Sequence, residues 1–432
     1  MAAEVKELRK KERFGEIGKP GLEHWSGRIN EEWIKELQYE RKWRTLREMR
    51  ENDPVVGAIL FAVEMLIRSV SWPVIPASRS QEDLAAAEFL DSCRTDMSQS
   101  WEHTLSEILS FLWCGFSYHE IVYKRRLGDT ADPTTRSQFN DGKIGWRKLP
   151  IRSQDTLDHW ILDDNGGVRA YVQLPPPDYV LRTIPITKSL LFRTTSYKNN
   201  PEGRSLLRSA FRPWFFKKRI EEIEGIGIER DLAGLPVIYA PAAIMSSNAG
   251  DLDKQIFNEL KNIVRNIRRD EQEGVIMPGD RDDKGHLLYE LKLLSTGGQR
   301  QFDTQAVLLR YDRLIAITVL ADFILLGHEK VGSFALSSDK TALFGVALGA
   351  FLDEITSVLN KYAIPRLFKA NGWFLEKYPH FEHGDIETPD LKELGDYIGK
   401  LSGAGMELFP DDLLENRLRN FASLPSKTNQ MK

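Results

Sequence analysis

A chain of 432 residues, 41% apolar and 28% charged, has the composition of a folded protein with room for two or three domains or one elongated, multi-part subunit. Its net charge of −4 supplies no general attraction to nucleic acid. That argues against a sequence-reading DNA binder. Two cysteines, Cys93 and Cys114, make no disulfide framework and no zinc spacing; they read as buried free thiols in a reducing compartment. The start, Met1 to Lys6, has no apolar run of the kind a signal peptide needs. The apolar stretch Leu314 to Leu326 is interrupted by Asp322 and is too short to span a bilayer.

In chain order, residues 1–29 are charged and contain Gly and Pro, which predicts a flexible arm. Asn30 to Met49 reads as an amphipathic helix with Trp33, Leu37, Trp43, Leu46 and Met49 as its apolar positions. Asp53-Pro54 is a helix start, a capping carboxylate followed by proline in the first turn. The helix that follows, to about Ser69, places Val56, Ile59, Leu60, Val63 and Ile67 on one face. Trp72 to Pro76 is extended, since its prolines bar helix. Helices are predicted over Ser80 to Arg94 and Trp101 to Trp113, the second ended by Gly115. Ser117 to Arg125 reads as a strand, and Asn140 to Thr195 as strands and turns, with a tight turn at Asp163 to Gly167.

Ser205 to Leu232 is helical, restarted or kinked at Pro213. The part after the proline is a rod of roughly 30 Å. Gly225 and Gly227 weaken it and Pro236 ends it. From Leu235 to Leu294 the pattern is strand, helix (Leu252 to Arg269), strand (Val275 to Met277) and strand (Leu287 to Leu294). Next come an apolar helix, Ala306 to Leu326, a small polar loop, Gly327 to Lys340, and a long helix, Thr341 to Lys369, closed by Asn371-Gly372. Trp373 to His383 is partly extended. Two short helices then start at Thr388-Pro-Asp390 and Pro410-Asp-Asp412, and a polar tail follows Ser423.

The two helices around the polar loop lack an ordinary polar face. Ala306, Leu309, Leu314, Ile317, Leu320, Phe323 and Ile324 spread over most of the first. Gly345 and Gly349, at i and i+4 on the second, let another helix approach closely. Helices apolar nearly all round need cover on several sides. Copies of the same chain can supply it.

Enzyme signatures are sparse. There is no phosphate-binding glycine loop, no H-E-x-x-H and no G-x-S-x-G. Ser337-Ser-Asp-Lys340 fits S-x-x-K without its companion motifs. His380, Glu382, His383 and Asp385 fit no common metal spacing. The basic clusters Lys217-Lys-Arg219 and Arg265, Arg268, Arg269 are each followed by acids, which predicts i, i+4 pairing on exposed faces or pairing between subunits. One alternative is an Mg-dependent nucleotidyl- or phosphotransferase, which needs paired carboxylates at strand ends; Asp163-Asp164 lies in a turn instead. Another is a non-viral α+β scaffold protein.

Gly332-Ser-Phe-Ala-Leu336, then a long helix and Ile364-Pro-Arg-Leu367 with Asn371-Gly372, resembles the tunnel-loop region of the portal proteins of Mu-like and related tailed bacteriophages. Asn200 to Arg208, with Phe211-Arg-Pro-Trp214 and Lys217-Lys218, is similar to that family's first stem helix. Gly234-Leu-Pro236 and Gly274 to Pro278 resemble its clip. Asp53-Pro54-Val55 and Gly115 to Glu120 resemble its wing. These blocks follow the family order from about Asp53 to Gly372.

The resemblance implies an α+β subunit: arm 1–29, wing 30–204, first stem helix 205–234, clip 235–294, second stem helix 295–326, tunnel loop 327–340, long tunnel helix and wing return 341–387, and a short helical crown 388–432. It implies a dodecameric ring at one capsid vertex of the virion, assembled in the host cytoplasm. Double-stranded DNA passes through without sequence readout. Implied partners are the terminase large subunit, a head-completion or adaptor protein, and the major capsid and scaffolding proteins; no membrane, cofactor, metal or catalytic residue is implied. His328, Glu329, Lys330, Val331, Ser333, Phe334 and Leu336 are the expected channel residues. Arg265, Arg268 and Arg269 are expected at the clip docking surface, and Gly345 and Gly349 at helix packing.

Overall fold

The computed structural model describes residues 16, 18–233, 235–246, 249–266, 279–294, 303–319, 334–386, 391–404, 406, 414–415 and 418–419. It is a mixed helix-and-sheet chain, 49% helical and 16% strand. Two compact units divide it: residues 1–210 with 316–432, and residues 211–315.

The first unit opens with a hairpin, β1 (His24–Trp25) and β2 (Arg28–Ile29). The expected flexible arm therefore does not extend to residue 29. The Trp160 N–H donates to Gly27 O at 2.9 Å, which docks the hairpin turn. A Cβ on Gly27 would lie 2.0 Å from the Trp160 carbonyl oxygen, and φ there is +79°, so only glycine fits.

The expected helix from Asn30 begins late, as α1 (Tyr39–Asn52). Upstream, Glu32 accepts the backbone N–H groups of Trp33 and Ile34 and pairs with Arg208, and only a single 3-10 turn, Lys35–Leu37, precedes α1. Trp33 is left exposed.

α2 (Pro54–Ser69) starts where the sequence says. The Asp53 carboxylate accepts from the N–H groups of Val55 and Val56 at 3.0 and 3.1 Å, and Val56, Ile59, Val63 and Ile67 are buried. β3 (Val74–Ile75) follows. Then α3 (Gln81–Thr95) is capped by Ser80, and α4 (Trp101–Ile108) by Ser100. The expected single helix to Trp113 breaks at Leu109 into α4 and α5 (Ser110–Cys114). Gly115, at φ +102°, ends α5 against the Glu202 carbonyl, 2.4 Å from where a Cβ would stand.

The strand expected over Ser117 to Arg125 is two strands, β4 (Phe116–Glu120) and β5 (Val122–Arg125). They serve different sheets. β4 lies between β11 (Ser189–Arg193) and β7 (Ile151–Arg152), whereas β5 pairs with β6 (Ile144–Lys148). Ile121 breaks the run by donating its N–H to Lys188 O and burying its side chain. A third sheet orders β10 (Arg182–Pro185), β9 (Val168–Gln173) and β8 (Leu157–Leu162). The Asp163–Gly167 turn joins β8 to β9, with Asp163 accepting from the N–H groups of Asn165 and Gly167.

The second unit contains most of α6 (Leu207–Ala233), which runs through Pro213 without ending. It also contains β12 (Leu235–Tyr239), α7 (Asp251–Asn266), β13 (Glu290–Leu294) and most of α8 (Thr304–Ile317). β12 and β13 pair antiparallel. The strand expected at Val275 to Met277 lies outside the described residues.

Back in the first unit, α9 (Phe334–Val358) passes through a π-turn, Leu359–Ala363, into α10 (Ile364–Ala370). Pro365 sits in the first turn of α10 and cannot donate an N–H. The Asn360 side chain brackets Phe381, in β14 (His380–Phe381), by accepting its N–H and donating to its carbonyl, both at 2.9 Å. β14 pairs with β3. α11 (Leu391–Gly403) follows. The core joins buried residues of α2, α3, α4, α5, α9 and α10 around Trp101, Trp146 and Phe381.

Candidate assembly and channel surfaces

α9 has two unlike faces. Phe344, Leu348, Leu352, Ile355 and Val358 are buried in the core, against α2 and β11 among others. The opposite stripe is Leu343, Val346, Ala350, Asp353 and Ser357, all exposed in the single chain. At about 100° per residue these five share one face. Val346 is 71% exposed. The stripe holds no cation, and its first three residues have no polar side-chain atom. Gly345 and Gly349 lie on its flank, and a Cβ at Gly349 would meet nothing within 4 Å. Leu343 to Ala370 is long and apolar enough to cross a membrane by length and composition alone, yet its buried stripe makes it a core helix of this unit.

The tunnel-loop expectation changes at its second half. Phe334 to Lys340 is the first part of α9 rather than loop, so Phe334 and Leu336 stand on a helix. No glycine or proline occurs between Gly332 and Gly345, so nothing local stops helix from propagating upstream of Thr341. His328, Glu329, Lys330, Val331 and Ser333 lie outside the described residues. Arg265 is in the last turn of α7, whereas Arg268 and Arg269 lie outside the described residues.

Within the second unit, α6 and α8 run antiparallel. Phe216 stacks on Tyr311 at 6.4 Å, Lys217 pairs with Asp312 at 2.6 Å, and the Thr304 hydroxyl donates to Glu224. Lys217 was expected to pair along its own helix or with a neighbouring subunit. Glu221 stands at 3.9 Å, and the closer partner is on α8. Lys218 lies over Trp214 and Arg219 over Phe215, so the cluster spreads around the helix instead of forming one phosphate-binding patch. Ile223, Ile226 and Ile228 on α6, and Leu309 and Leu314 on α8, remain exposed.

A cleft of about 1130 Å³ in the first unit is lined by Arg28, Glu31, Glu32, Asp155, Asp158 and Glu202, among others. Five of its carboxylates are paired. Glu31 is held by Lys198, Glu32 by Arg208, Asp155 by Arg47, Asp158 by Arg28 and Glu202 by Lys42. At Asp155 burial opposes ionisation, but bonds from the Ser153 hydroxyl and then Arg47 lower its pKa. For Asp158 a bond from His159, then Arg28, lowers it. Among the described residues no group of three or more His, Cys, Asp or Glu is placed to hold a metal. His383 faces Asp353 and the Gly384 carbonyl. Cys93 and Cys114 are free and buried, and burial pushes the Cys93 thiol up to about 11.

Three features escaped sequence reading: the exposure of Val346, the exposure of Ile223 and the Lys217–Asp312 pair. Lys217 was findable, because it continues the buried stripe Leu207, Ala210, Phe211, Trp214.

The chain is similar to solved structures at low identity. The neck of an empty gene transfer agent particle, computed with C6 symmetry, has 13% identity and a TM-score of 0.51, covering 89% of this chain and 94% of its own. The neck of a native particle computed with C12 symmetry gives 13% identity and 0.49 over the same shares. An HK97-family phage portal protein from Corynebacterium diphtheriae gives 13% identity and 0.36, covering 71% and 86%. The family described as the portal protein of Mu bacteriophage matches residues 43–418. With that span matched, the chain belongs to the family of the Mu bacteriophage portal protein.

Proposed function

We propose that this chain is a phage portal subunit, working in a closed dodecameric ring at one capsid vertex. The observation that carries this reading is family membership across residues 43–418. The ring conducts double-stranded DNA without reading its sequence. It is a docking platform for the terminase large subunit during packaging, and later for head-completion and tail proteins, with capsid and scaffolding proteins around it. The work is mechanical, with ATP hydrolysis left to the terminase and no cofactor required.

In this reading residues 30–204 form the wing, α6 and α8 the stem, 235–294 the clip, 341–387 the tunnel helix and wing return, and 388–432 a short crown. Gly327 to Ser333 and the start of α9 line the bore. The exposed stripe Leu343, Val346, Ala350 and the uncovered isoleucines of α6 support assembly, because a subunit alone leaves them in water. Head-to-tail contacts between copies cover both kinds of surface. Channel contacts with DNA must stay weak. Five paired carboxylates in the large cleft, and no three-ligand cluster among the described residues, count against the transferase alternative.

The test is a packaging assay on rings carrying Lys330→Glu. The reading expects intact rings with altered DNA packaging or retention. Unchanged packaging and retention, with DNA entering elsewhere, overturn the channel role.

A further inference from the structure

Gly225 and Gly227 stand inside α6, where glycine is among the least favourable residues. Nothing among the described residues requires them. A Cβ at either position would meet no atom within 4 Å, and neither has a positive φ. Crowding by one neighbouring helix does not explain the pair either. At 100° per residue, positions i and i+2 lie about 200° apart, so one packed helix can use only one of them.

Their place along the helix is informative. Glu224, immediately before them, accepts from the hydroxyl of Thr304, the first residue of α8. From Gly225 to Ala233, α6 extends past the start of α8. It then leads into the β12–β13 ribbon and α7. Upstream, the Lys217–Asp312 pair and the Phe216–Tyr311 stack tie α6 to α8. Among the described residues, the weak helix thus begins just past the last tie to α8.

We propose that Gly225-Ile-Gly227 is a bend point, through which the β12–α7–β13 module changes its angle to the α6–α8 pair. Fitting that module to a docked protein is the use this implies, and that use rests on the portal reading above; the bend itself does not.

The test compares full-length protein with Gly225→Ala/Gly227→Ala. Both sites are open and helical, so the variant folds. Hydrogen exchange is read at amides 224–233. Spin-label distances are read between Lys254→Cys and Gln305→Cys, both exposed, in labelled subunits diluted with unlabelled ones; the native cysteines are buried. Expected are exchange slowed roughly tenfold in that segment and a narrowed distance distribution, with oligomeric state unchanged. Equal exchange and equal distribution widths in the two proteins overturn the proposal. Loss of assembly in Gly227→Ala alone, with Gly225→Ala neutral, also overturns it, because Gly227 is then a contact with another copy.

Discussion

Lys217 and Asp312 meet at 2.6 Å across α6 and α8, with the lysine side chain only 4% exposed and the aspartate 23%. The pair makes a charged tie in an otherwise aromatic contact. Removing Asp312 takes the nearer carboxylate from a buried ammonium and leaves Glu221 at 3.9 Å, whereas removing Lys217 leaves the aspartate closer to solvent. The two removals are therefore unequal. Asp312→Asn should destabilise the chain by about 1–2 kcal/mol, and Lys217→Met by less. Urea denaturation of both variants beside the parent checks the order.

Gly27 sets the N-terminal hairpin. Gly27→Ala places a Cβ against the Trp160 carbonyl oxygen at a φ of +79°. The expected outcome is a loss of about 2 kcal/mol and faster exchange of the Trp160 amide, whose acceptor is the Gly27 carbonyl. Hydrogen exchange and thermal melting measure both.

His119 supplies a pH dependence. Burial of the whole ring pushes its pKa down to about 4, with Arg152 acting in the same direction, while the bond to the Leu149 carbonyl and the Glu107 charge oppose it. The unfolded chain therefore binds a proton that the folded chain refuses between about pH 6.5 and 4. Stability is full above 6.5 and falls as pH drops through this window, by about 3 kcal/mol in all. Glu120 and Asp96, whose values are lowered, add losses only below the ordinary carboxylate range. The stability difference between pH 6.5 and pH 4.5 should be smaller in His119→Gln than in the parent, measured by urea midpoints.

Val346 separates folding from assembly. It is 71% exposed in the chain, so Val346→Arg should alter subunit stability by less than about 0.5 kcal/mol. In a ring it buries a charge at an apolar contact. Size-exclusion chromatography with light scattering should show subunits that fold and fail to close.

Local signals were legible where one residue decides the backbone. Asp53 before Pro54 and Gly115 at the end of α5 are written in sequence because each acts on its own neighbours. The split of the expected strand at Ile121 was not legible, because it depends on which distant strands, β11, β7 or β6, pair on either side. The partner of Lys217 was hidden for the same reason. Helix α9 starts at Phe334 because the polar residues Ser337 to Lys340, read as loop, carry no backbone reason to break helix. The apolar character of α9 was visible, but which of its faces the core takes is a tertiary fact.

The central claim is that the chain closes into a ring. Native mass spectrometry of the purified full-length protein at micromolar concentration tests it most directly. The account predicts a discrete high-order closed oligomer, dissociated by Val346→Arg. A spectrum holding only monomer or dimer would contradict it.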